Sequence, residues 1–214
     1  VIATNSVTGC VGASASGTVT LITAPTISTP SNYIVCDDNN DGVSCMFLLG
    51  SKDVEISTVS GIQISYHLTP TDAQTGSNAL PKNSPYCNIT NPQTIYIRVF
   101  DPAAPACSSY TTMQLIVNPK PIAHLPNDYH LCDANASLSI TEATFNLTTV
   151  VTPQVVGNQS PANYTVTYYT SLANAQAPSN ALSAASALAY TTASTTLWIR
   201  IQNNTTGCYD ITTV

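Results

Sequence analysis

Hydrophobic and polar residues alternate strictly over Ile95-Tyr96-Ile97-Arg98-Val99. Ile95, Ile97 and Val99 fall on one side of an extended chain, Tyr96 and Arg98 on the other. The pattern returns as Leu197-Trp198-Ile199-Arg200-Ile201. A period of two with β-branched residues predicts half-buried strands. Shorter runs predict further strands over 45–48, 62–66, 113–117, 144–147 and 164–168. Pro, Asn, Ser and Gly clusters separate them and break strand pairing. Residues 173–177 and 181–189 are Ala-rich, but Pro178 and their strand-like equivalents earlier in the chain predict loop and strand there. Six or seven short strands in about 95 residues predict an all-β, immunoglobulin-like β-sandwich.

The alternation recurs because the chain repeats. With an offset of 102, residues 62–98 lie over 164–200 without a gap. Tyr66 matches Tyr168, Gln74 matches Gln176, and Asn78-Ala79-Leu80 matches Asn180-Ala181-Leu182. Upstream the offset falls to 98 at Phe47/Phe145 and 96 at Cys36/Cys132. Two tandem copies follow, over 26–119 and 120–214, the last strand of the second being incomplete. Residues 1–25 read as the end of a preceding repeat: Cys10, then 19–22 and Pro25, resemble Cys107, then 113–117 and Pro119. The proline joints at 25–30 and 119–121 are expected to be short and stiff, giving an extended rod of modules. The predicted core pairs are Phe47/Phe145, Ile64/Val166 and Ile97/Ile199. Tyr96, Arg98, Trp198 and Arg200 are expected to be more exposed.

Composition narrows the function classes. Only 7% of residues are charged, against roughly 25% in a typical domain. The net charge is -6 with five Lys and Arg, so there is no basic stripe for nucleic acid or an anionic membrane surface. No apolar run approaches the roughly 18 residues of a spanning helix, so no membrane insertion is expected in this segment. The missing initiator Met agrees with a processed or partial chain.

The repeat also organises the seven cysteines. Cys132 and Cys208 in copy two correspond to Cys36 and Cys107 in copy one. The simplest pairing is within each module, Cys36–Cys107 and Cys132–Cys208. Cys45 and Cys87 align with Ala143 and Ala189, both small, which predicts a facing pair and a Cys45–Cys87 bridge. Cys10 is left over, its partner expected upstream. Such bridges persist in oxidising compartments, which predicts an extracellular protein.

Asp37-Asp38-Asn39-Asn40-Asp41-Gly42 contains Asp-x-Asn-x-Asp-Gly, the first half of a calcium loop. Asp37, Asn39 and Asp41 would ligate Ca²⁺, helped by Asp53 or Glu55, because Leu48 stands where a bidentate Glu is usual. The other reading is a polar turn held by Asx side chains. No other cofactor is expected. Copy two, with Asp133-Ala134-Asn135-Ala136-Ser137, is not expected to bind calcium. The pairs Tyr96/Arg98 and Trp198/Arg200 form either a ledge for a sugar or anionic ligand, or a cross-strand packing device. His67, His124 and His130 lack a justifiable nucleophile or carboxylate partner, and Glu55 and Glu142 lie in separate copies. No catalytic residue is assigned, and no enzymatic activity is expected.

The opening Tyr33-Ile34-Val35-Cys36-Asp37-Asp38-Asn39-Asn40-Asp41-Gly42, then Ser65-Tyr66-His67, Asp72-Ala73-Gln74, Asn78-Ala79-Leu80, the Ile95–Val99 strand and the late Cys107 resemble the tandem repeats of very large Bacteroidota surface adhesins. In copy two the matching close is Asn204-Thr205-Thr206-Gly207-Cys208-Tyr209-Asp210. Such proteins are exported by the type IX system, and SprB-like members serve gliding motility. The resemblance implies a cell-surface stalk or adhesive role, with other repeats of the same chain as partners and surface polysaccharide, host or substratum as targets. The alternatives are a carbohydrate- or surface-polymer-binding module and a filament-forming subunit.

Overall fold

The computed structural model describes residues 1–14, 16–17, 21–133 and 141–214. Nine strands are described: β1 (Tyr33–Cys36), β2 (Gln63–His67), β3 (Gln93–Asp101), β4 (Ala104–Asn118), β5 (Ala143–Phe145), β6 (Tyr164–Tyr169), β7 (Tyr190–Thr192), β8 (Trp198–Asn203) and β9 (Tyr209–Thr213). Six short helices punctuate them: α1 (Asp53–Ile56), α2 (Pro70–Thr75), α3 (Leu147–Val150), α4 (Thr152–Val156), α5 (Leu172–Gln176) and α6 (Ala184–Leu188). The protein is mostly sheet with few helices, in tandem repeats. Two compact units divide it: Val1–Ser31, Leu49–Asn83 and Ile95–Met113 form one, and Asn32–Leu48, Ser84–Thr94 and Gln114–Val214 the other.

In the first unit β2 pairs antiparallel with β3, and β3 neighbours β4. The strict alternation of β3 does what its period dictates: Ile95, Ile97 and Val99 are fully buried while Tyr96, Arg98 and Phe100 are half-buried. Leu49, Ile56 and Tyr66 are also fully buried in this unit. In the second unit β1 runs parallel to the end of β4, with Tyr33 opposite Leu115 and Cys36 opposite Asn118. There β6 pairs antiparallel with β8, and β8 with β9. Its main apolar cluster contains Leu147, Val151, Val155, Val156, Tyr168, Ala187, Leu197, Ile199 and Ile201.

The repeat survives as register. Tyr66 faces Ile97 across the first ladder, and Tyr168 faces Ile199 across the second. The amide of Leu80 donates to the Tyr66 carbonyl at 2.8 Å, and that of Leu182 to the Tyr168 carbonyl at 2.9 Å. Asn78 and Asn180 both hold positive φ, 49° and 54°. Asn tolerates this left-handed region better than other non-glycine residues, which accounts for the repeated Asn-Ala-Leu. Phe145 and Val166 pack against the copy-two core while only partly buried, and Ile64 is buried in copy one.

Several local expectations are corrected. The Ala-rich stretches are helical, as α5 and α6, rather than loop and strand. Each is a single turn fixed by its ends: Ser171 accepts from the Asn174 amide and Ser183 from the Ser186 amide. Capping of this kind supplies what propensity cannot in so short a helix. Thr69 caps α2 in the same way at an offset of 102 from Ser171, with Pro70 in the first turn. The strand expected over 45–48 shrinks to one bridge, Phe47 to Tyr86. The strand expected over 144–147 ends at Phe145, after which Asn146 caps α3. Beyond the main ladders, each copy therefore carries a small aromatic ribbon, Phe47–Tyr86 in one and the β5–β7 pair with Phe145 opposite Tyr190 in the other. Val19 and Thr20, in the strand expected to close the N-terminal stump, and the copy-two turn from Ala134 to Ser137 lie outside the described residues.

Candidate functional site

The cysteines supply the main chemistry. Cys36 is bonded to Cys208, with Cα atoms 5.6 Å apart across a sequence separation of 172. This corrects the pairing within modules: neither Cys36–Cys107 nor Cys132–Cys208 forms, and Cys107 and Cys132 are free thiols, as is Cys10. The opening cysteine of one copy is bound to the closing cysteine of the next. The correction has a geometric reason. Cys36 ends β1 opposite Asn118 of β4, and the Asp37 amide donates to the Asn118 carbonyl at 2.8 Å. The Cys208 sulfur lies 3.8 Å from that same carbonyl oxygen. Both sulfurs therefore converge where copy one leaves its last strand.

Polar contacts support this joint. The Lys120 amide donates to Asn40 Oδ1 at 2.9 Å. Lys120 Nζ meets Asp210 Oδ1 at 3.4 Å, and the Ala123 amide donates to Asp210 Oδ2 at 3.0 Å. Gln159 spans Ile122, accepting from its amide at 3.1 Å and donating to its carbonyl at 2.7 Å. The sequence reading missed Asn40, Lys120, Gln159 and Asp210 as joint residues. The available signal was scarcity: in a chain with five Lys and Arg, one placed between Pro119 and Pro121 has few roles besides a local ion pair.

The second bridge, Cys45–Cys87, flanks the Phe47–Tyr86 pair in copy one. In copy two the β5–β7 register puts Thr192 opposite Ala143 and Thr191 opposite Thr144. Ala189 therefore falls outside the ribbon, and the counterpart of Cys87 lies nearer Thr191. A hydroxyl pair, Thr144 with Thr191 at 2.7 Å, stands in the copy-two ribbon. The Tyr33 ring meets Phe47 edge-on at 5.2 Å, and Tyr129 meets Phe145 edge-on at 5.1 Å. The same aromatic corner is thus built in both copies.

The acidic loop is a turn whose side-chain oxygens take backbone amides. Asp37 Oδ1 accepts from the Asn39 and Asn40 amides, and Oδ2 from the Gly42 amide at 2.7 Å. Burial of Asp37 would raise its pKa, but these amides outweigh it and hold the carboxyl below its usual range. Asn39 Oδ1 accepts from the Asp41 amide, and Asp41 Oδ1 from the Val43 amide. Gly42 adopts φ 80°, the conformation for which glycine is suited. Elsewhere, Asp53 accepts from the Tyr66 hydroxyl and pairs with Lys82. Glu55 accepts from Lys52 and from the amide and hydroxyl of Ser31. Among the described residues no group of three His, Cys, Asp or Glu side chains is gathered for a metal.

The aromatic–arginine pairs differ from an open ledge. Tyr96, Arg98 and Trp198 are half-buried, but Arg200 is only 5% exposed, which corrects its expected place on a solvent face. Its guanidinium stacks on Tyr209, 3.4 Å from the ring centroid, and donates to the Ala175 carbonyl at 2.9 Å. Arg98 stacks on Phe100 and donates to Ser108 and the Pro105 carbonyl. Each arginine thereby anchors its own strand neighbourhood.

His67 is fully buried. Its Nδ1 meets the Ser77 carbonyl at 2.7 Å and therefore donates to it; Nε2 meets Ser65 Oγ at 2.9 Å. At an offset of 102 the pair becomes Thr167 and Tyr169, whose hydroxyls bond at 3.1 Å. A contact that two different chemistries fill equally is a strand-packing device. Among the described residues, no buried side-chain nitrogen or oxygen lacks a partner. One cleft of ≈ 300 Å³ opens in copy two beside Asp128, Tyr129, His130, Tyr190 and Ser194. Among the described residues no helix is long and apolar enough to cross a membrane.

No curated protein matches the chain. A family model described as the Flavobacterium inter-domain disulphide bond domain matches residues 32–121 and again 128–214. Cys36 lies in the first match and Cys208 in the second, so the bridge between them joins two copies of one domain. The chain belongs to the Flavobacterium inter-domain disulphide bond domain family.

Proposed function

We propose that the chain is a load-bearing stalk segment of a large bacterial cell-surface adhesin, exported to an oxidising exterior and projecting a distal binding region. The observation that carries this reading is the Cys36–Cys208 bridge between adjacent copies. Tension on a chain passes through its shortest covalent path. Here that path runs from Cys36 through two sulfurs to Cys208, so the residues between them bear no stretching load while the bridge is intact. Type IX export, a contribution to gliding and an immunoglobulin-like module class belong to the same proposal. They rest on the resemblance to Bacteroidota surface repeats and on the sheet-rich repeats joined at prolines. The low charge and the packing use of His67 and Arg200 favour a mechanical role over an enzymatic one.

Single-molecule stretching tests it. With a separation of 172 residues, reduction should release about 600 Å of added contour length at ~3.3–3.6 Å per residue. Full extension of the oxidised chain at the same force as the reduced one would remove the mechanical reading.

A second reading, binding of a surface polysaccharide, is favoured by the copy-two cleft. Aromatic rings of Tyr129 and Tyr190 stand there beside the polar side chains of Asp128, His130 and Ser194, the mixture that sugar sites use. Glycan-array binding lost in Tyr190→Ala would support it.

A further inference from the structure

The copy-two cleft stands where copy one carries a strand. In copy one the end of β4 pairs with β1, Leu115 opposite Tyr33, Ile116 opposite Ile34 and Val117 opposite Val35. Asn91 clamps that strand from its other side: Oδ1 accepts from the Val117 amide at 3.0 Å, and Nδ2 donates to the Val117 carbonyl at 2.7 Å. Leu115 and Val117 are buried there. The cleft walls of copy two are the counterparts of these flanks. Tyr129, His130 and Leu131 correspond to Tyr33, Ile34 and Val35 at an offset of 96, and residues 193–197 correspond to 91–95 at an offset of 102. Val214, also lining the cleft, corresponds to Met113 at an offset of 101 and exchanges backbone hydrogen bonds with Leu197 at 2.8 and 3.0 Å. Where copy one runs on from Met113 into Leu115 and Val117, copy two presents an opening of ≈ 300 Å³. Burial follows the difference: Gln93 and Met113 are buried, whereas their counterparts Thr195 and Val214 are exposed and half-buried. Residues 33–36 form β1, but 129–132 form no strand.

A segment of matching pattern lies near the start of the chain. Leu21-Ile22-Thr23-Ala24-Pro25 aligns with Leu115-Ile116-Val117-Asn118-Pro119 at an offset of 94 and is identical at Leu, Ile and Pro. Leu21 is 91% exposed and Ile22 47%, whereas Leu115 is fully buried. We infer that the copy-two cleft is an acceptor for an extended strand, and that its occupant is Leu21–Ala24 of a second copy of this chain. The incoming strand lies parallel to residues 129–132 in the register of β1 on β4, Leu21 opposite Tyr129 and Thr23 opposite Leu131. Leu21 takes the place of Leu115, and Thr23 that of Val117. Main-chain hydrogen bonds supply the affinity of such an added strand, and the alternate side chains supply its specificity. Donor and acceptor are different surfaces, so the contact is heterologous and assembly proceeds head to tail. Strand and polysaccharide would compete for this cleft. The inference goes beyond the stalk reading, which rests on the Cys36–Cys208 bridge and holds whether or not chains pair.

The test uses the 214-residue chain. Sedimentation velocity over a concentration series should show oligomers that grow with concentration. They should fall apart in hot detergent without reductant, which separates them from disulfide-linked chains. Hydrogen exchange at the same concentrations should slow together at residues 21–24 and 129–131. Two variants then assign the halves. Leu21→Asp spoils the donor and leaves the cleft open, while Thr195→Trp fills the cleft and leaves the donor intact. Each variant alone should be monomeric. Their mixture should stop at dimers, one intact donor in one open cleft, and that dimer also shows that both variants are folded. A chain that stays monomeric at every concentration, slowed exchange at 129–131 without 21–24, or protection that ignores concentration would each overturn the inference. So would a mixture of the two variants that forms no dimer.

Discussion

Cys36 and Cys208 lie 172 positions apart in sequence and 5.6 Å apart at their Cα atoms. A closed loop of that length lowers the entropy of the unfolded chain by the equivalent of about 5 kcal/mol at 25 °C in the chain-entropy treatment, against about 4 kcal/mol for the 42-residue separation of Cys45 and Cys87. Cys36→Ser and Cys208→Ser should therefore destabilise by similar amounts, each lowering the melting temperature by about 10 °C or more. The double variant should match either single one. Differential scanning calorimetry measures this, and additive losses would mean that the two cysteines act separately.

The positive φ of Asn78 and Asn180 gives a sharper comparison between copies. Alanine in the left-handed region costs roughly 1–2 kcal/mol. Asn78 also donates from Nδ2 to Asp72 Oδ1 at 2.8 Å. Asn78→Ala should lose both the conformational preference and this charged hydrogen bond, so it should cost more than Asn180→Ala. Asn180→Gly should be close to neutral. Urea titration of each variant reads the difference.

The same pair of residues shows what was legible in the sequence. The recurrence of Asn-Ala-Leu located the repeat, and the period-two pattern located β3 and β8 with their buried faces, because both are local properties of the chain. The bridge partner of Cys36 was not legible. Module-internal and module-to-module pairing use the same aligned cysteines, and only the path of the chain after Asn118 brings Cys208, rather than Cys107, to Cys36. The single-turn helices α5 and α6 were hidden for another reason. They depend on Ser171 and Ser183 as caps and on burial of Ala175 and Ala187, not on any extended period. The ledge reading failed at Arg200 because alternation assigns a face and says nothing of what covers it; α5 covers it through the Ala175 carbonyl.

Arg200 thus behaves as a structural cation. Lysine would keep the charge but lose the planar stack on Tyr209 and the directed bond to Ala175. Arg200→Lys should cost about 1.5–3 kcal/mol, the range for hydrogen bonds made by charged groups. Tyr209→Leu should lose part of the same energy, and the double variant should be less than additive. Equilibrium denaturation of the four species closes the cycle.

The hydroxyls of Tyr66 and Tyr168 hold equivalent places with different partners. Tyr66 donates to Asp53 at 2.7 Å, while Tyr168 donates to the Leu147 carbonyl at 3.0 Å and meets the Thr152 hydroxyl at 2.7 Å. Burial raises the pKa of both phenols, that of Tyr168 to about 12, so both are neutral donors at neutral pH. A hydrogen bond to a carboxylate is worth about 1.5–3 kcal/mol and a neutral one about 1. Tyr66→Phe should therefore cost more than Tyr168→Phe in the same denaturation assay.

Acid should act through Glu55. The side-chain hydrogen bond from Lys52, followed by the hydroxyl and amide of Ser31, holds the Glu55 carboxyl down to about 2 from a usual 4.5. A carboxyl whose folded pKa is depressed binds fewer protons when folded than when unfolded across that interval. Its contribution is complete above pH 4.5 and declines as pH falls toward 2. Stability should thus drop between those values in the wild-type chain. Glu55→Gln removes the titrating group, so the variant should be less stable near neutrality and show a shallower slope across the same interval. Because Glu55 is exposed, added salt should shrink the difference between the two chains. Melting curves taken from pH 6 to pH 2 at low and high salt measure both effects. Parallel curves for the two chains would show that the Ser31–Lys52–Glu55 cluster contributes nothing to acid sensitivity.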